Sequence, residues 1–79
     1  MTLDGLPLQT RARIRSIDWA RLPERDGRRL RELGFDEGVA IEPRHVGGAW
    51  ARDPLAVRIG RMTVAIRRVH AAAIEVDPA

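Results

Sequence analysis

The chain has 79 residues and a formal net charge of +3; it has neither cysteine nor tyrosine, and its 14 basic side chains are all arginine. This length allows one domain, residues 1–79, and the composition excludes disulfide bonds and requires a mostly aliphatic core. No apolar run approaches the roughly 18–20 residues that cross a bilayer, so we expect no membrane span. The N-terminal residues "MTLDGLPLQT" lack a basic start followed by an apolar block, so we expect no signal peptide.

The first predicted element is a strand at residues 11–17, "RARIRSI", where arginine alternates with smaller side chains. This period of two places Ala12 and Ile14 on the core face. The opposite face carries Arg11, Arg13 and Arg15, which a solvated strand face tolerates.

A helix is predicted in "LPERDGRRLRELGF", because Leu30 and Leu33 fall on one side of a helix that ends at Leu33. Its start is left open, because Pro23 is acceptable at a helix start, Asp26 could instead be the N-cap, and Gly27 weakens the first turn. Gly34 fits the left-handed position that follows a helix, and Phe35 would then fold back over Leu30.

Alternation returns in "VAIEPR", which predicts a second strand at residues 39–44 with Val39 and Ile41 pointing inward. Pro43 suits the edge or the end of a strand, since it cannot donate to a ladder. Residues 45–54 are interpreted as a flexible connection with Gly47 and Gly48 at its tip.

The most regular pattern is "LAVRIGRMTVAI", residues 55–66, which predicts a hairpin with a two-residue type II′ turn at Gly60 and Arg61. Folding about that turn places Leu55 opposite Ile66, Val57 opposite Val64, and Ile59 opposite Met62. "RRVHAAA" then allows about one helical turn, and "IEVD" predicts a closing strand.

Five short antiparallel strands with one apolar face each bury that face by curling. The sequence therefore predicts a mainly β fold, a small SH3-like five-stranded barrel with one short helix between the first and second strands.

Four segments in this order resemble the FeoA family of small SH3-like proteins of bacterial ferrous iron uptake. They are "RRLRELGFDEGVAIE", "DPLAVRIG", "VAIRR" and "AAAIEV", and the likeness runs from about residue 6 to residue 76. The segment "LPLQT", where the family usually has a glycine, and the charged loop "DWARLPERDG" depart from it. The resemblance implies a cytosolic accessory protein acting with FeoB, a membrane permease that carries a GTP-binding domain.

The residues themselves offer little chemistry for catalysis or for a bound cofactor. His45 and His70 lie on different predicted elements, whereas a transition-metal site needs three or four suitable ligands, so no metal site is expected. Ser16 is the only serine, and the "GG" pair lacks the lysine and helix of a phosphate loop. We therefore expect neither an enzyme nor a cofactor, and the lack of tyrosine argues against a groove for proline-rich peptides.

What remains is binding of another macromolecule. Trp50 is interpreted either as cover for one barrel mouth or as an anchor for a partner, while Trp19 is expected to cover the core. The predicted partner-binding residues are Trp50, Arg52, Arg28, Arg31 and Arg44. The arginines on the helix either are merely solvated or meet an acidic protein surface or lipid head groups.

The expected partner is a FeoB-type permease, so the protein would be cytoplasmic and would reach the inner face of the membrane through that partner. Nucleic acid is not expected. The alternative is an SH3-like module associated with a DtxR-type metal-dependent repressor or with nucleic acid, supported by the arginine-rich first strand. Weak self-association as a structural subunit is a third hypothesis.

Overall fold

The computed structural model describes residues 1–47 and 53–79. Five strands form one antiparallel sheet in the order β4-β3-β2-β1-β5. The strands are β1 (Ala12–Ile17), β2 (Ala40–Val46), β3 (Leu55–Ile59), β4 (Met62–Ile66) and β5 (Ile74–Pro78). The helices are α1 (Glu24–Glu32) and α2 (Arg68–Ala71), with 3₁₀ turns at Leu3–Gly5 and Trp19–Arg21.

The prediction of a closed barrel is wrong, because the two edge strands β4 and β5 do not pair with each other within the described residues. Helix α2 joins these strands, and the N-terminal 3₁₀ turn packs beside α2 and β5. Leu3 and Leu6 of this N-terminal segment are completely buried. Side chains from outside the sheet therefore seal the core, and strand closure is not needed to exclude water.

The helical content also differs from the predicted fold, which counted a single short helix. The turn expected in "RRVHAAA" is a second helix, α2, and two 3₁₀ turns flank β1. Helix α1 begins at Glu24, directly after Pro23. None of the helices in the described part of the chain is long and apolar enough to cross a membrane.

The end of α1 has the hydrogen bonds of a Schellman motif. The Phe35 N–H donates to the Leu30 carbonyl and the Gly34 N–H donates to the Arg31 carbonyl, each at 3.0 Å. Gly34 has φ +101°, a left-handed conformation that suits glycine. Phe35 and Leu30 are both buried in the same hydrophobic cluster, as the predicted contact after the helix requires.

The β3–β4 hairpin has the predicted register throughout, from Leu55 opposite Ile66 to Ile59 opposite Met62. Gly60 has φ +58°, as the first position of a type II′ turn requires. The side chains on the core-facing side of the hairpin are not all buried, however: Met62 is 48% exposed and Val64 is only partly covered.

Strand β2 differs from its prediction in length and in the place of its proline. It continues through Val46, and the Gly47 N–H donates to the Pro54 carbonyl at 2.8 Å, so Gly47 lies at the base of the connection and not at its tip. Pro43 is buried within a central strand. The sheet accommodates it because the β1–β2 pairing involves only Ile41 and Ala40 of β2, and the register with β3 shifts just after Pro43.

Candidate protein-interaction surface

Trp19 and Arg31 form a stacked pair on the helical side of the molecule. Trp19 lies in the 3₁₀ turn after β1 and packs partly against the core, as expected for a core cover. The guanidinium carbon of Arg31, from α1, lies 4.2 Å from the centre of the indole ring. This distance is a cation–π contact, and the Arg31 side chain that makes it is exposed.

Gly27 explains how the helix approaches the tryptophan. It is buried in the middle of α1, and a Cβ built there would lie 3.4 Å from the Cε3 atom of Trp19. The spacing of four residues between Gly27 and Arg31 puts both on the same side of the helix. The glycine leaves room for the ring, and the arginine covers its outer face.

Two open depressions flank the indole ring. One, of about 430 Å³, is lined by Trp19, Leu22, Pro23, Arg28 and Arg31 among others. The second, of about 600 Å³, lies between the same ring and Phe35, Asp36 and Val39. We call Trp19, Arg28 and Arg31, with the first of these depressions, the indole surface.

Arg28 contributes to the indole surface a positive charge that is only weakly paired. Its Nη2 atom lies 3.3 Å from Glu24 Oε1, one helical turn earlier, but the two side chains are 69% and 89% exposed. Such exposed pairs contribute only a few tenths of a kcal/mol. A partner carboxylate can therefore replace Glu24 at little cost.

Arg44 has a different environment from the arginines of α1. Its Nη1 atom pairs with Glu42 Oε2 at 2.6 Å on β2, and Glu42 Oε1 also lies 3.6 Å from Arg11 Nε. Glu42 lies between the two guanidinium groups and is only 16% exposed, so the Arg44 guanidinium is held in this ion pair. The other two candidates, Trp50 and Arg52, lie outside the described residues.

The two histidines remain on separate elements. His45 is exposed on β2, whereas His70 on α2 lies with its Nε2 atom 3.1 Å from Asp26 Oδ2 of α1. The Arg67 N–H donates to His70 Nδ1 at 3.2 Å, so in the neutral ring Nε2 carries the proton and donates to Asp26. The residues at 1–47 and 53–79 contain no cluster of three or more His, Cys, Asp or Glu side chains suited to a metal ion.

Sequence reasoning identified Arg28 and Arg31 but did not join them to Trp19, and it missed the link between Asp26 and His70. A sequence signal for the first was present: Gly27 lies among charged residues of α1, four residues before Arg31. The second joins residues 44 positions apart on two helices, and no local pattern indicates it.

Comparisons with known proteins place the chain in a family. Residues 1–78 match the FeoA domain. The structure of Stenotrophomonas maltophilia FeoA, complexed with zinc, is 36% identical with a TM-score of 0.81, and the match covers 98% of this chain and 89% of that one. FeoA from Chlorobium tepidum is 28% identical with a TM-score of 0.83, over 99% of this chain and 70% of that one.

Iron(II) transport protein A from Clostridium thermocellum is 29% identical with a TM-score of 0.83, over 99% of this chain and 45% of that one. A comparison with curated protein sequences gives no significant match. The match over residues 1–78 and the SH3-like neighbours lead to one conclusion: this chain belongs to the FeoA family, which is associated with ferrous iron transport.

Proposed function

We propose that this protein is a non-enzymatic accessory factor of ferrous iron transport that docks on the cytosolic part of a FeoB-type permease. The observation that carries the proposal is the family match over residues 1–78. On this proposal the protein acts in the cytoplasm and reaches the inner face of the membrane only through the permease. GTP binding and iron passage belong to the partner.

The indole surface is the docking site that the geometry supports best. Tryptophan and arginine are the residue types most enriched among the energetically dominant positions of interfaces. Here the Trp19 ring lies close to Gly27 of α1, and the Arg31 guanidinium stacks on the ring. A preorganised aromatic and cation pair loses little entropy on binding, and it fits an acidic patch with an apolar centre.

The nucleic-acid alternative depends on Arg11, Arg13 and Arg15, and the structure gives each a neighbour. Arg11 lies near Glu42, Arg13 donates to the Gly38 carbonyl at 2.8 Å, and Arg15 lies 3.9 Å from Asp77. Carboxylates interrupt the positive potential that phosphates require. This face therefore supports nucleic-acid binding less than the indole surface supports a protein partner.

The decisive experiment combines co-purification with iron uptake. We expect the tagged full chain to retain the permease from solubilised membranes, and deletion of its gene to reduce Fe(II) uptake. Arg31→Glu should weaken binding to the permease's cytosolic part by about tenfold, which equals about 1.4 kcal/mol.

Arg15→Glu is the matched control, since it makes the same charge reversal on β1 and should leave the affinity nearly unchanged. If deletion leaves Fe(II) uptake intact and the protein never retains the permease, the proposed function is wrong. If Arg15→Glu weakens binding and Arg31→Glu does not, the proposed function stands, but the docking site is the arginine-bearing face of β1.

A further inference from the structure

The two edges of the sheet are protected very differently. The outer edge of β5 is covered by the N-terminal segment: Thr2 bridges to Glu75, and the Val76 N–H donates to the Met1 carbonyl at 2.8 Å. Strand β5 also carries Glu75, Asp77 and Pro78. Charges, a proline and a covering segment are the usual means by which proteins keep an edge strand from pairing.

Strand β4 has none of these protections within the described residues. Its sequence, Met62–Ile66, contains no charge and no proline, and its register with β3 has no bulge. In a two-residue hairpin the residues flanking the turn form a hydrogen-bonded pair, and such pairs alternate along the strand. The N–H and C=O groups of Thr63 and Ala65 therefore point away from β3, toward the open edge.

The same edge borders an accessible cleft. A cavity of about 330 Å³ lies between α1 and the end of β4, with Leu30 and Leu33 on one side and Ala65 and Ile66 on the other. Along the strand, the half-exposed Met62 and the partly covered Val64 offer apolar surface to anything that pairs with β4.

The charged side chains beside β4 determine which kind of partner strand can bind. Every charged side chain from residue 60 to residue 69 is an arginine: Arg61 before β4, and Arg67 and Arg68 after it. Arg67 lies 4.0 Å from Asp53, but its side chain is 71% exposed, so this pair is weak. The charged residues that line the cavity are Arg29, Arg67 and Asp26. The Asp26 carboxylate already accepts a hydrogen bond from His70.

A second copy of this chain is a poor occupant. The antiparallel register that pairs all of β4 with its own copy puts Val64 opposite Val64 and Arg61 opposite Arg67. Like charges facing each other across a strand pair are destabilising. A partner strand with acidic residues at both ends instead places opposite charges against Arg61 and Arg67, which stabilises the pairing.

We infer that the β4 edge is a binding site for an extended partner segment with an uncharged centre and acidic ends, which adds to the sheet as a further strand. Main-chain hydrogen bonds to Thr63 and Ala65 supply affinity, and contacts with Met62, Val64 and the flanking arginines supply selectivity. This inference does not depend on the permease proposed above.

The test uses two capped peptides with one core, Asp-Glu-Val-Thr-Val-Thr-Val-Glu-Asp and Lys-Arg-Val-Thr-Val-Thr-Val-Arg-Lys, added to the full chain. We expect the acidic peptide to shift the amide NMR signals of Thr63 and Ala65 and to bind about tenfold more tightly than the basic one at low salt. Arg61→Glu combined with Arg67→Glu should reverse this preference, and both sites are exposed, so the fold should tolerate the change.

Ala65→Pro removes an outward N–H and should abolish binding, whereas Ala65→Ser keeps that N–H and should not. The inference is overturned if neither peptide binds, or if both bind equally and the charge reversal has no effect. It is also overturned if concentrated protein without peptide protects the amides of Thr63 and Ala65 from exchange, because the occupant is then a second copy. None of these outcomes involves the permease, so the proposed function is tested separately.

Discussion

Replacing Gly34 with alanine tests whether the end of α1 depends on a left-handed residue. Gly34 has φ +101°, and a Cβ there would meet, among the described residues, the Ile59 Cδ1 atom at an ordinary contact distance of 3.8 Å. The cost is therefore conformational and not steric: an L-residue in the left-handed region loses about 1–2 kcal/mol. For a domain of this size that loss lowers the melting temperature by roughly 4–16 °C.

Gly5→Ala is the matched control, because Gly5 has no positive φ and a Cβ there lies 3.9 Å from the Met1 Cε atom. It should leave stability unchanged or raise it by about 0.4–1 kcal/mol through the unfolded chain. Gly34→Asn should fall between the two, since asparagine tolerates the left-handed region better. Thermal and urea unfolding followed by circular dichroism measure all three. If Gly34→Ala is as stable as Gly5→Ala, the left-handed conformation at the end of α1 does not require glycine.

The remaining predictions concern contacts that local sequence patterns do not show. Leu3→Ala should lower the free energy of unfolding, measured in urea, by about 2–5 kcal/mol, because Leu3 is completely buried. A loss no larger than that caused by the same substitution at an exposed leucine would refute its place in the core. A double-mutant cycle on Arg31→Met and Trp19→Leu should give a coupling of about 0.5–1 kcal/mol, and zero coupling would refute the cation–π contact. Asp26→Asn and His70→Gln should each increase amide exchange in α2 while leaving β1 protected; uniform loss of protection would contradict a local link between the helices.

The elements best predicted from the sequence are those whose signals are local. In the β3–β4 hairpin, Gly60 supplies the turn and the alternating aliphatic residues fix the register, since a slip by one residue would expose the whole apolar row. The end of α1 is similar, because Gly34 and Phe35 specify the Schellman motif within a few residues of Leu30.

The N-terminal segment and the closure of the sheet could not be predicted in this way. Leu3 and Leu6 lie in "LDGLPL", a segment without helical or strand periodicity, yet both are completely buried. The 3₁₀ turn that contains Leu3 packs beside α2 and β5, which lie near the other end of the chain. The barrel prediction closed the sheet through its own strands, whereas β4 and β5 remain edges and two leucines outside the sheet are buried in the core.

The candidate surfaces show the same division between local and distant signals. The arginines of α1 were visible in the sequence, but local patterns did not show that Trp19 stacks on the guanidinium of Arg31, whereas Arg28 makes an exposed pair with Glu24. The β4 edge was visible as a hairpin strand, but its availability comes from the open sheet, since a closed barrel would have paired it. The feature that the sequence predicted wrongly, strand closure, is thus the one that leaves Thr63 and Ala65 able to bind a partner strand.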